Sequence, residues 1–478
     1  MIKNISQLPT RYEPLIRTFG EKAKTTFVEQ LSDIAVMKTV IARMESAQQG
    51  KIMFIFGKPG VGKTTFIHSL EVFLADRIAK VQRLPKGHEL SVLGIPNYIA
   101  NLPQLDGVTV VNFDEREAPY FDEAEYRTFL IQLNGILRSR PDLLILWPVN
   151  QRGFAKKLTS LLEEIGGRSA FGAKSIYDID GLSKEQYKIV FQKILQIANW
   201  HLEDAAIGWD ELERIENGAE SVGRYLDDIQ ELISERFDTG KIGVNLPELV
   251  FVLSSGKPEI RDVCRNLRRA DSYYVEASRL TMYTKKSNAA DWWEERSKKL
   301  TTALPYIVAL FNAQLVSVSG STVVHSVLQF GPEDMANLAS GVQKNIGNAK
   351  RVVSSSELYK YSIGQDVDSR EYGLNVKEET RSAYDQLQVL SKNRHLEINK
   401  SIVSMVNAAG GGLDNAKFEV PCGIKNGLFA DVQISQGDKR INFEFHHKAT
   451  AETGNNKVAI YILGKLKEYA INYGLVSP

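Results

Sequence analysis

A chain that carries Gly57-Lys58-Pro59-Gly60-Val61-Gly62-Lys63-Thr64-Thr65 directly after the apolar run Ile52–Phe56 has little freedom in what surrounds that stretch. The run before it reads as a buried strand and the segment from Phe66 to about Ala79 as an amphipathic helix. Strand, glycine loop and helix is the context in which G-x-x-x-x-G-K-[ST] becomes a phosphate site. Glycines allow the backbone N–H groups from Gly57 to Thr65 to converge on an anion, because a Cβ would block the approach. Lys63 is expected to reach the β- and γ-phosphates and Thr64 to place its hydroxyl on Mg²⁺. The positive end of the helix dipole adds to the same site. The expected ligands are ATP and Mg²⁺.

A chain of 478 residues is too long for one core, which gives a prior of two to four domains. The net charge of +1 makes no global case for nucleic acid, so any such case has to be local. Cys264 and Cys422 cannot form a disulfide framework or a cysteine-only zinc site, which suits a reducing cytosol. No stretch has the apolar core of a signal peptide or the roughly 18 apolar residues of a membrane span. A cytoplasmic protein without a membrane partner is expected.

Residues 51–180 alternate apolar strands with helical segments, the pattern of a parallel sheet wrapped by helices. Val108–Phe113 ends in Asp114-Glu115, where Mg²⁺ needs a carboxylate that acts through water and the attacking water needs a base. The roles expected are metal ligation for Asp114 and water activation for Glu115; either acid alone would also suit a solvated turn. The run Leu143–Val149 ends in Asn150, an amide that can hold the water or the γ-phosphate, or cap the next helix. Residues 1–50 have a helical pattern and form either a collar on the nucleotide base or a docking helix.

With these residues in view, positions of roughly 20–240 resemble the AAA+ branch of P-loop ATPases. The likeness rests on GKPGVGKTT, on the Walker-B-like VTVVNFDE, on the sensor-1-like Asn150, and on Arg168 before a final strand. It implies that Arg168 acts as a finger on a neighbouring subunit's γ-phosphate, in a ring or helical homo-oligomer. Arg152 and Arg116 are the other candidates for that role. After Leu182 the pattern turns helical, like the small lid of that family, and Arg224 in Ser221–Leu226 stands where its sensor-2 residue would touch phosphate.

From Leu246 onward, Lys257-Pro258 opens a helix on which Arg261, Arg265, Arg268 and Arg269 fall on one face by i, i+4, i+7, i+8 spacing. Such a stripe would track a phosphate backbone, meet an acidic partner, or simply face solvent. Leu304–Phe311 reads as the core of a middle domain, and Ser354–Ser356 with Gly364–Asp366 as a nearby linker.

The last hundred or so residues read as a helix over His395–Asn407, strands over Lys417–Cys422, Leu428–Ile434 and Lys439–Lys448, and a helix over Lys457–Tyr473. Alternation places Glu444, His446 and Lys448 on one face of the third strand, with Phe443, Phe445 and His447 on the other. This order, with Asp431 on the second strand, resembles the PD-(D/E)XK nuclease core. The resemblance implies that Asp431 and Glu444 hold Mg²⁺ or Mn²⁺. The family's lysine position falls on His446, and Lys448 lies one pleat further along the same face.

The fold expected is α/β: N-terminal helices and a parallel-sheet P-loop core (1–182), a helical lid (183–240), a mostly helical middle domain (241–365) and a smaller nuclease-like α/β domain (366–478). The function expected is an ATP-hydrolysing oligomer that acts on DNA through a metal-dependent nuclease-like domain. Its setting, bacterial antiviral defence or mobile-element control, follows from the domain pairing by analogy. The alternative is a nucleotide-switched assembly protein whose C-terminal domain only binds a partner, DNA or a second effector protein.

Overall fold

Ile52 and Phe54 of strand β1 (Lys51–Phe56) pack into one apolar core, and Met53 and Ile55 pack into another on the opposite face. A strand buried on both faces belongs inside a parallel sheet covered by two helical layers. In this computed structural model, which describes residues 5–85, 94–117, 122–238, 245–257, 259–367, 377–425, 427–437 and 439–478, that is its place. The chain divides into two compact units, one formed by Leu8–Ala198 with Trp209–Leu232, the other mainly by Asn199–Gly208 and Ile233–Pro478.

The first unit is built on a parallel sheet of order β2-β3-β4-β1-β5, with β2 Ile78–Arg83, β3 Val108–Asn112, β4 Leu143–Val149 and β5 Phe171–Asp178. Helices Glu123–Ser139 and Arg152–Gly166 pack on one face, Leu31–Ala47 and Lys63–Phe73 on the other. β4 alternates as β1 does, with Leu143, Ile145 and Trp147 to one core and Leu144 and Leu146 to the other. Helices Lys184–Ala198, Trp209–Gly218 and Val222–Arg236 follow the sheet.

The second unit has a mixed sheet of order β7-β6-β10-β9-β8. Here β6 is Glu248–Ser255, β7 Gln314–Ser319, β8 Lys417–Cys422, β9 Leu428–Gln436 and β10 Lys439–Lys448. β6 runs parallel to both β7 and β10, while β9 is antiparallel to β8 and β10. The kinked helix Glu378–Ala408, bent at Arg394 (φ −133°), and helix Gly320–Phe330 cover one face. Helix Asn455–Asn472 covers the other through Tyr461, Lys465 and Tyr469.

This sheet corrects the expected division at residues 365 and 366. The stretch expected to be a helical middle domain supplies β6 and β7, which the C-terminal strands need as neighbours. Val250 to Leu253 are buried, and a strand so apolar on both faces cannot stand alone. The expected linker is also displaced by structure. Ser356 caps helix Glu357–Ser362 by accepting the Tyr359 N–H at 3.2 Å, and Glu357 is buried beneath it.

Glu357 explains the fate of the arginine stripe, whose Pro258 lies outside the described residues. The helix runs only over Ile260–Leu267, and Arg268 is extended (φ −129°, ψ 170°), so the helical spacing does not continue through Arg268 and Arg269. Arg268 is wholly buried and donates to both Glu357 oxygens at 2.6 and 2.9 Å. Arg269 is buried against Asp204 at 2.5 Å and Glu276 at 3.0 Å. Held in buried ion pairs, Arg268 and Arg269 are not available to track a nucleic-acid backbone, which removes half of the stripe.

Burial alone would push the Glu357 carboxyl up, but the Arg268 guanidinium and the Ser317 hydroxyl and N–H outweigh it and hold it below the usual range. Its stabilisation is therefore present above the ordinary value of 4.5 and is lost as pH falls through the depressed folded value. Glu357→Ala leaves Arg268 buried without its anion, and should cost about 3–5 kcal/mol in urea unfolding of the second unit at neutral pH. The loss should shrink in acid, where the wild type is weakened as well.

Candidate functional site

The loop between β1 and helix Lys63–Phe73 turns back on itself through Gly60 (φ +80°) and Gly62 (φ +100°), conformations that an L side chain resists. Space is equally restrictive at Gly223, where a Cβ would stand 2.8 Å from the Gly60 carbonyl. The Gly223 N–H donates to that carbonyl at 3.0 Å, so the first turn of helix Val222–Arg236 is fixed to the glycine loop backbone to backbone.

Lys63 opens its helix and folds its amine back over the loop. Nζ donates to the Gly57 carbonyl at 2.8 Å and to Asn150 Oδ1 at 2.7 Å. Burial pushes its ammonium down from the ordinary value, and Glu117 and Asp114 work against that. Thr64 donates its hydroxyl to Asp114 Oδ1 at 3.2 Å. The chain ends of β1, β3 and β4 thus bring Lys63, Thr64, Asp114 and Asn150 together, as the sequence pattern expects. Lys63, Thr64 and Asn150 border a cleft lined also by Pro59, Gly60, Gly62, Thr65, Arg11 and Glu117, and Asp114 is joined to it through the Thr64 hydroxyl. Gly57 is held under Lys63, and Lys58 offers its carbonyl at 3.3 Å. Val61 lines a neighbouring, mainly apolar recess with Tyr12, Leu15, Phe27, Ile194 and Leu226. Tyr12, which lines that recess, stacks on His68 at 4.9 Å.

Other expected residues lie apart from the cleft. Glu115 is held at φ +62°, and its carboxylate pairs with Arg83 at 3.0 Å, which also reaches Asp114 at 3.1 Å. Of the acids that follow β3, the one that lines the cleft is Glu117, which accepts the Asn150 amide; Glu13 lines it from the N-terminal helix. Arg224 turns along its own helix to Asp228 at 2.7 Å. Arg11, which does line the cleft, pairs with Asp227. Arg168 projects from the turn Gly167–Ala170 with 90% of its side chain exposed, touching Glu163 at 3.3 Å. Arg152 pairs with Asp178 at 2.7 Å, and Arg116 is buried, donating to the Pro85 carbonyl at 2.8 Å. Burial of Arg116 removes it as a group that could reach another subunit. Neither Glu117 nor Arg11 sits in a recognisable motif; the only sequence signal for Glu117 is its place two residues beyond Glu115.

In the second unit, β9 and β10 pair from Lys439↔Gln436 to Phe443↔Val432 and then diverge. β10 continues beside β6 to Lys448, and the start of β9 pairs with β8. Asp431 sits at the vertex of this fork. Its Oδ2 accepts the Phe445 N–H at 2.7 Å, taking the place of a ladder partner. Continuing the register puts Glu444 opposite Asp431. Phe443, Phe445 and Val432 face the core under the kinked helix, so Glu444 and His446 face helix Asn455–Asn472, the alternation that the sequence implies.

The surroundings of Glu444 were not legible in the sequence. Both oxygens are engaged, Oε1 by the Tyr469 hydroxyl at 2.6 Å and Oε2 by Lys465 Nζ at 3.1 Å. The amine beside this acid therefore comes from the following helix rather than from Lys448, which is half-buried at the end of β10. The i, i+4 pair Lys465 and Tyr469 is its only sequence trace. His446 stacks on Tyr461 at 3.8 Å, and its Nε2 has no hydrogen-bond partner among the described residues. Burial pushes its imidazole down to about 3, so it is neutral throughout the physiological range and supplies no proton switch near pH 7. His447 lies on the opposite face between Ser254 Oγ at 2.7 Å and Asn399 Oδ1 at 2.9 Å.

Burial pushes the Glu444 carboxyl up to about 7, against the pull of Lys465, and nearby Asp431 adds to the rise. The folded protein keeps this proton in a range where the unfolded chain has lost it. Stability is thus full below the ordinary value of 4.5 and declines as pH rises through about 7. Urea midpoints measured across that window should fall for the wild type. Glu444→Gln should remove that part of the slope, and an unchanged slope would contradict the assignment. No family model matches the chain, and no curated protein matches it.

Proposed function

We propose that the first unit binds and hydrolyses ATP with Mg²⁺, in an AAA+-like oligomer, and that the second unit brings metal-dependent chemistry to DNA. The observation that carries the first part is that Lys63, Thr64 and Asn150 line one cleft, with two hydrogen bonds, Lys63 to Asn150 and Thr64 to Asp114, joining the strand ends there. The residues present suit the group: an anion-sized glycine loop, a buried ammonium, and a hydroxyl paired with a carboxylate. Mg²⁺ would be held there through Thr64 and Asp114 and would supply positive charge against the charge that develops on the phosphates.

In this reading Lys63 leaves Asn150 for the phosphates, and Asn150 and Glu117 are released to position water. Glu117 stands in the cleft where Glu115 does not, so Glu117 is the base. The apolar recess at Tyr12 takes the nucleobase, and the helices after the sheet act as its lid. Arg168, exposed and among the described residues paired with Glu163, is suited to reach a neighbouring subunit's γ-phosphate.

For the second unit, the shared face of Asp431 and Glu444 supports DNA cleavage, with Lys465 as the nearby amine. A partner-binding role is the second reading, favoured by the full engagement of Glu444 and the burial of Arg268 and Arg269. Incubating DNA with the full chain and Mg²⁺ or Mn²⁺ separates the two. Cleavage that disappears in Asp431→Ala supports the first reading, and intact DNA throughout supports the second. The wider setting in antiviral defence or mobile-element control stays an analogy from the pairing of the two units.

Lys63→Ala should abolish ATP hydrolysis and weaken nucleotide binding. Glu117→Gln should keep binding but lower turnover about 10²–10³-fold, with a smaller loss in Glu115→Gln. The reverse ranking would return the base to Glu115. Turnover per subunit should rise with protein concentration and collapse in Arg168→Ala without loss of ATP binding. Turnover independent of concentration would reject action in trans.

A further inference from the structure

The fork at Asp431 brings in two groups that no motif marks. His395 lies immediately after the bend at Arg394 in the kinked helix, and Glu419 lies in β8, held at φ +48°. The β8–β9 register places Glu419 opposite Asp431. One donor atom from each of His395, Glu419 and Asp431 lies within 4.8 Å of the others, and all three residues are half-buried.

We propose that a divalent transition cation binds in this fork, held by the His395 imidazole and the Glu419 and Asp431 carboxylates.

The spacing fits. Two ligands about 2.1 Å from one ion and at right angles to it stand about 3 Å apart. His395 Nε2 and Glu419 Oε1 stand 3.1 Å apart, joined by a direct hydrogen bond that a bound ion would replace at nearly the same separation. Asp431 is pre-oriented, because the Phe445 N–H holds Oδ2 at 2.7 Å and leaves Oδ1 for an ion. The three donors come from three separate elements, so none is placed there by the local geometry of another. Glu444 is not a fourth ligand, since Tyr469 and Lys465 occupy its oxygens.

One imidazole with two carboxylates suits Mn²⁺, Fe²⁺, Co²⁺ or Zn²⁺ better than Mg²⁺ or Ca²⁺, which favour oxygen throughout. Three protein ligands leave open positions for water. The site therefore differs from a two-carboxylate pair of Asp431 and Glu444 in both donor set and ion preference, and it stands whether or not the protein cuts DNA.

The test is Mn²⁺ titration into the nucleotide-free full chain, with free ion read by electron paramagnetic resonance. Wild type should bind Mn²⁺ at this site, and Zn²⁺ should displace it. His395→Ala and Glu419→Gln, both at partly exposed side chains, should each weaken binding at least about tenfold. Glu444→Gln should leave the affinity within about threefold. Unchanged affinity in both His395→Ala and Glu419→Gln would overturn the proposal. Loss confined to Glu444→Gln and Asp431→Asn would overturn it as well, by moving the ion to the two-carboxylate pair. Cleavage is not read, so absent nuclease activity and an absent cation site give separate outcomes.

Discussion

β10 can present Glu444 and His446 at fixed positions because β6 runs beside it from Glu248 to Ser255. On its other side β10 is paired with β9 only as far as Phe443. Without β6, the last residues of β10 would be an unpaired edge, and no fork would exist at Asp431. The parallel partner thus lets one end of β10 be detached from β9 and still be rigid. Parallel strands need a long connection between them, and here much of the second unit lies between β6 and β10. The stretch from 256 to 438 is best understood as that connection, folded into helices and three further strands.

Charges in this unit are handled by pairing inside the protein. Arg268 with Glu357, Arg269 with Asp204 and Glu276, and Lys465 with Glu444 are each buried or nearly so. Buried pairs of this kind add little net stability relative to apolar packing, yet each is costly to break from one side. They make the arrangement of strands and helices hard to vary, because any alternative packing strands a charge. Glu444 is the exception in degree: its carboxyl sits near neutrality rather than below it, so one member of this network changes charge close to physiological pH.

Local signals were legible and distant ones were not. The glycine loop, the strand before it and the helix after it are one contiguous stretch, and Thr64, Asp114 and Asn150 follow from the rule that strand ends carry the site. Glu117 was missed because the turn after β3 puts Glu115 at positive φ, directs it to Arg83, and leaves the next acid to enter the cleft. The arginine stripe failed for a physical reason: helical spacing was extended past Leu267, where the backbone becomes extended. The three C-terminal strands of the second sheet were visible one by one, whereas β6 and β7 were read into a mostly helical domain. Their pairing with β6 was not, since nothing in period-2 alternation says which distant strand is the neighbour. His395 and Glu419 were illegible on the same ground, as only the register of β8 on β9 and the bend at Arg394 bring them to Asp431.

The contact of Gly223 with Gly60 involves no side chain on either partner. A phosphate that draws the glycine loop inward must therefore pull on helix Val222–Arg236 through a main-chain bond, as a rod is pulled by a pin through its end. Such a joint has no rotamers to absorb the displacement and nothing that exchange of neighbouring side chains could loosen. If the loop binds a phosphate as proposed, this bond would carry the displacement to the first turn of the helix without a residue dedicated to sensing it.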